Sequence, residues 1–123
     1  MPSGFYYVVR GEEAEALTRM KEGFFTHNFI GHSHLTTTYE YTGKKVKEIT
    51  GHYAFKEGSK YLINVGSVGQ PRDRNPQACF VIFDTVRKDM QHVRVSYDVA
   101  GAQARIREVG HDDKFAKRLA HGQ

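Results

Sequence analysis

The residues best equipped for chemistry lie in two short stretches of this 123-residue chain. The first, FIGHSHLT (Phe29 to Thr36), sets His32 and His34 on either side of Ser33, directly after Gly31. Neutral imidazole is a good ligand for zinc, manganese or iron. Residues two apart on an extended segment point to the same side. His32 and His34 are therefore expected to face one site, with Ser33 turned away and Gly31 letting the backbone turn at the strand end. Taken alone, the pattern also fits polar residues at the end of a strand. The second stretch, INVGSVGQPRD (Ile63 to Asp73), delivers Gly66, Ser67, Gly69 and Pro71 in quick succession. Such a loop can turn backbone N–H groups toward a phosphate, and Arg72 adds a fork of donors shaped for phosphate oxygens. An ordinary tight loop with a surface arginine would look the same.

Composition narrows the field. A hydrophobic share of 39% and a charged share of 26% are those of a globular domain, and the length suits one domain with a real core. No apolar run approaches the roughly 20 residues of a membrane helix, and the N-terminus lacks a basic-then-apolar signal pattern. The expectation is a cytoplasmic protein with no membrane partner. Cys79 is the single cysteine, so no intrachain disulfide forms. It lies in the apolar run ACFVIFD and reads as a small buried hydrophobe. The net charge is +4, but the basic residues are scattered, as at Arg72 and Arg74, Arg87 and Lys88, Arg105 and Arg107. That distribution attracts anionic substrates mildly and argues against nucleic-acid binding as the main role. The histidines at 27, 52, 92, 111 and 121 read as surface or half-buried polar residues.

These stretches need a scaffold. GFYYVV (Gly4 to Val9) reads as a strand, and residues 12–22 as a helix with Ala14, Leu17 and Met20 on one stripe. FFTHNFIGHSH reads as a buried strand ending in a glycine turn. LTTTYEY and VKEITGHY read as a hairpin around TGKK, and AFKEGSKYLINV repeats that plan around Glu57-Gly58-Ser59. ACFVIFD is apolar on both alternating faces, which places it in the middle of a layered structure. QHVRVSYDV is expected to turn Val93, Val95 and Tyr97 inward. Helices are expected from Val99 to Val109 and from Asp113 to Ala120, the second with Phe115 and Leu119 inward and Asp112 or Asp113 as its cap.

Taken together, GHSH, a hairpin region, the N-x-G-S-x-G-Q-P-R loop and an apolar strand ending in Asp84 resemble the calcineurin-like metallophosphoesterases, above all their small single-domain members. The likeness runs from the Tyr6-Tyr7 strand to the last helix. It implies an α+β fold, the C-terminal half of an α/β/β/α sandwich of mostly antiparallel, mixed sheets with flanking helices. It implies a hydrolase acting as a phosphatase or phosphodiesterase, cleaving a phosphate ester with metal-activated water. The cofactor implied is a dinuclear centre of divalent ions (Mn, Fe, Zn or Ni), with His32 on one metal and His34 on the other. Asn64, Ser67 and Arg72 become candidates for supporting or substrate-binding roles. The family's Asp-x-His, Gly-Asp-x-x-Asp and Gly-Asn-His-Asp/Glu motifs and its further lone histidine have no counterpart in this sequence. Residues 1–123 are thus expected to form a single partial domain with an incomplete ligand set, inactive alone, that self-associates or pairs with a missing N-terminal half. The alternative is a non-catalytic remnant, a binding or assembly module of the same fold.

Overall fold

Short runs of β-branched and aromatic residues, cut by glycines and polar turns, become strands. The structure is a computed structural model that describes Glu15, Ala16 and residues 25–123. Its strands are β1 (His27–Ile30), β2 (Thr36–Tyr41), β3 (Val46–Ile49), β4 (His52–Ala54), β5 (Lys60–Val65), β6 (Ala78–Asp84) and β7 (Asp89–Val95), followed by α1 (Val99–Glu108) and α2 (Asp113–His121). The strand expected at Gly4–Val9 lies outside the described residues. So does the helix expected at 12–22, except for Glu15 and Ala16, which are helical.

One sheet has the order β1-β5-β2-β3 and the other β4-β7-β6. β1 runs parallel to β5, with Ile30 opposite Asn64. The other described pairs are antiparallel. The parallel pair positions the site, because the loops after Ile30 and Val65 leave the same edge side by side.

Between the sheets lies a core of Tyr61 and Ile63 from β5 and Met90 from β7, joined by Ile49, Tyr53, Phe55 and Val81. The opposite face of the first sheet packs Leu62 with Ile30, Tyr39, Tyr41 and Ala16. α1 and α2 are capped by Asp98 and Asp112, whose side chains accept from the N–H groups of Gly101 and Lys114. Gln103 donates to the Ala116 carbonyl (2.8 Å) and ties the two helices together.

Four expectations are corrected. The second hairpin does not form: the chain leaves the first sheet at Thr50-Gly51, β4 pairs with β7, and the turn at 56–59 carries it back to β5. Ile49 and Tyr53 both pack against Tyr61, Ile63 and Met90, so this segment wraps the core instead of extending one layer. On β7 the inward face is Met90, His92 and Arg94, while Val95 is 44% exposed. A shift of one residue exchanges the two faces of a strand. The shift holds here because both polar residues of the inner face have a partner, His92 Nε2 in the Asn64 carbonyl and Arg94 in Asp73. Third, β6 is not central. Among the described residues it pairs only with β7, and Phe80, Ile82 and Phe83 are exposed. On α2 the buried residues are Ala116 and Leu119, and Phe115 lies outside under Lys114 and Arg118.

Candidate functional site

The chain after β1 does not stay extended. His32 and His34 both adopt left-handed backbone, with φ of 72° and 59°. The Ser33 N–H donates to the Gly31 carbonyl across His32 (2.9 Å). This closes a three-residue turn around His32 in its rare positive-φ form, which is strained. The premise that strand alternation carries both imidazoles to one side is therefore corrected, because two left-handed residues rather than a strand place them. Such strain persists only where the surroundings impose it, and it concentrates at functional sites.

The surroundings come from the loop after β5. The Asn64 amide donates to the Ser33 hydroxyl (2.6 Å), so Ser33 is held by β5 and not turned away. The Asn64 side-chain carbonyl accepts from the Gly66 N–H (3.3 Å). The Ser67 hydroxyl accepts from the Gln70 N–H (2.9 Å) and shapes the next turn. The Arg72 N–H donates to the His34 carbonyl (3.2 Å), closing the two loops on each other. Gly66 makes this approach possible. Its φ is 79°, and a Cβ there would lie 2.7 Å from the Thr36 hydroxyl and 2.8 Å from the Cys79 Cβ.

His34 is half-buried, and its Nδ1 lies 2.7 Å from the Gln70 carbonyl oxygen. A carbonyl only accepts, so Nδ1 carries the proton. With the proton on Nδ1, a metal-binding lone pair can only come from Nε2. Metal-bound histidines are fixed in this way by a carbonyl behind them. His32 is exposed. No group of three or more His, Cys, Asp or Glu with metal-binding placement occurs among the described residues. Two imidazoles thus fit as part of a donor set, not as a whole one.

Beneath the loops, His92 donates from Nε2 to the Asn64 carbonyl (2.9 Å), which leaves its Nδ1 buried without a partner among the described residues. Burial holds this imidazole below its ordinary pKa, against the opposing pull of the Asn64 bond. Asp73 pairs with Arg94. Burial alone would raise its carboxyl, but the Arg94 hydrogen bond leads a set of contacts that keep it below the ordinary value. Arg72 is exposed, with its guanidinium on the Gln70 side chain (2.8 Å).

Sequence reasoning named His32, His34, Asn64, Ser67 and Arg72, and the structure places four of them in these two adjoining loops and Asn64 at the end of β5 between them. It missed Gln70, His92 and the Asp73–Arg94 pair. The sequence carried no signal for the last two, because Val93 and Val95 alternate with His92 and Arg94 and mark the opposite face as the apolar one.

No protein-family model matches the chain. Over 78 residues it is 41% identical to an uncharacterized protein of Methanocaldococcus jannaschii, a stretch covering 63% of this chain and 32% of that protein. Its fold is similar to that of a metallophosphoesterase from Sphaerobacter thermophilus, with a TM-score of 0.78 and 26% identity, covering 97% of this chain and 50% of that one. The chain spans about a third of the archaeal protein's length and half of the solved structure's.

Proposed function

We propose that this chain is the C-terminal half of a metal-dependent phosphoesterase acting on a phosphate ester. The observation that carries the reading is the strained turn at His32, held by Asn64 and Ser33 beside a His34 whose proton is fixed on Nδ1 by Gln70. The mixed α+β fold, similar to a metallophosphoesterase, supports it. His32 and His34 would contribute one donor each to a pair of divalent ions, of which Mn, Fe, Zn and Ni all accept imidazole. Bound there, such ions would supply an activated water and neutralise phosphate charge. The chain's own residues do the rest. Gln70 fixes the His34 tautomer, Asn64 and Ser67 hold the loops, and Arg72 presents donors to a phosphate oxygen. Catalysis waits on carboxylates from elsewhere, so the chain alone is inactive. A cytoplasmic setting fits the single buried cysteine.

The open flank supports the half-domain reading. β1 and β6 are both edge strands among the described residues, and Phe29 and Phe83 touch across them with ring centroids 5.3 Å apart. Phe29, Phe80, Ile82 and Phe83 are all more than a third exposed. An apolar edge of this kind is a template for association, for a missing N-terminal half or a second copy. Light scattering on the eluting protein should show more than a monomer, and a clean monomer at high concentration would count against this.

The test of the metal reading is a manganese titration followed by NMR. Signals of residues 31–35 and 66–72 should broaden first, and His34→Ala should remove the effect. Broadening centred on His111 and His121, or spread evenly, would overturn it. The lack of a third ligand among the described residues favours a second reading, a non-catalytic binding or assembly module. That reading predicts no localised broadening.

A further inference from the structure

We propose that the cleft beside the His34–Arg72 junction seats a second phosphate, so that the substrate is a small molecule carrying two anionic groups. The link to a substrate rests on the phosphoesterase reading; the anion seat itself does not. The cleft encloses about 400 Å³ and is lined by Leu35, Thr37, Tyr39, Glu48, Arg72 and Arg74, among others. Leu35 follows His34, and the Arg72 N–H is bonded to the His34 carbonyl, so the cleft begins where the candidate metal loop ends.

Its two cations are aimed by their neighbour. Asp73 turns inward to Arg94 of β7, which leaves Arg72 and Arg74 outward on either side of it. Arg74 is held in left-handed backbone, φ 64°, and its N–H donates to the Gly122 carbonyl at the chain's C-terminal end (2.9 Å). Gly122 packs so closely that a Cβ would lie 2.5 Å from the Asn75 nitrogen. Neither guanidinium forms an ion pair with a described residue, and Arg72 is directed only by the Gln70 amide oxygen. Across the cleft Glu48 accepts from the Thr37 hydroxyl (3.0 Å), a pair suited to the hydroxyls of a sugar or polyol. Asp73 also lines the cleft, but Arg94 neutralises it, so two guanidinium groups face one carboxylate, Glu48, that has no cation among the described residues, and the cleft is left positive. Forked donors on a fixed backbone match phosphate oxygens better than a mobile ammonium would.

The test is calorimetric titration with inorganic pyrophosphate in excess EDTA, so that no metal takes part. The parent chain should bind. Arg74→Gly should weaken binding at least about tenfold, the loss of one charge-assisted contact. Glycine suits the left-handed position, so this variant should fold at least as well as the parent. Lys117→Ala, which removes one positive charge from the exposed face of α2, should change binding less than about twofold and separates a local seat from the attraction of net charge. No binding by the parent, or equal losses in the Arg74 and Lys117 variants, would overturn the proposal. Failure of the manganese titration with pyrophosphate binding intact would count against the metal reading alone.

Discussion

The two ends of β5 are built on opposite terms. At its entry, Glu40 is 1% exposed, yet its carboxylate accepts from the Ser59 hydroxyl (2.9 Å), the Tyr61 hydroxyl (3.2 Å) and the Lys56 ammonium (3.4 Å). The Tyr61 hydroxyl in turn accepts from the Lys56 N–H (2.8 Å). Burial would raise the Glu40 pKa, but the bonds from Ser59, Tyr61 and Lys56 together hold it below the ordinary value. Aromatic rings close this end, with His27 stacked on Tyr61 and edge-on to Phe55. At its exit the same strand meets two left-handed histidines, a turn around His32 and a half-satisfied His92. At the entry the carboxylate network around Glu40 is satisfied and anchors, although the His27 Nε2 beside it is buried without a partner among the described residues. The exit holds strained backbone and unused lone pairs, the condition of a site waiting for a ligand. Each strained residue costs roughly 1–3 kcal/mol, which the anchored end must offset.

The largest effect should come from filling the space that permits the exit end. Gly66→Ala meets both a left-handed φ and the Thr36 and Cys79 side chains, and should cost about 3 kcal/mol or more in urea denaturation. A loss under about 1 kcal/mol would show that the loop relaxes freely. Next, Glu40→Ala strips the entry end of its acceptor and leaves buried hydroxyls unsatisfied, at about 2–3 kcal/mol. If it is neutral, that network is not the anchor. The third change has the opposite sign. His32→Gly relieves the backbone strain, so stability should be unchanged or up to about 1 kcal/mol higher, while manganese broadening disappears. Destabilisation beyond that would place His32 with the anchoring residues and erase the contrast.

The smallest effect is in pH. Burial holds both His27, at the entry, and His92, under the exit, below the ordinary imidazole value of 6.5. The unfolded chain therefore takes up these protons first. Their contribution to stability is complete above about pH 6.5 and is lost as pH falls below it. Denaturation midpoints compared at about pH 7.5 and 5.5 should fall on the acid side, and less so in His27→Phe. A flat profile would mean that neither ring is buried as described.

Legibility in the sequence followed the same division. α1 and α2 were readable because their caps are local, and Asp112 is one of the two caps that GHDD offered, but the stripe was read only in part, since Leu119 is buried and Phe115 is not. The site loops were readable only in part: the glycines mark the turns, as at Gly66, but the left-handed backbone of His32 and His34 contradicts the extended segment expected there. The inner face of β7 was not, since His92 and Arg94 bond to Asn64 and Asp73, partners distant in sequence. Nor was the crossing at Thr50-Gly51, which a hairpin pattern imitates. The open side of β6 escaped as well, because apolar residues on both faces mark a covered strand whether or not the cover belongs to the same described chain.

Cys79 gives this architecture a clock. It is the single thiol of the chain and 2% exposed, its N–H bonded to the Ser67 carbonyl (2.8 Å) and its Sγ set under Gly66. A thiol reagent reaches it only when the loop over it lifts. The alkylation rate in the native state therefore times the opening of that loop, and a ligand that tightens the loop should slow it.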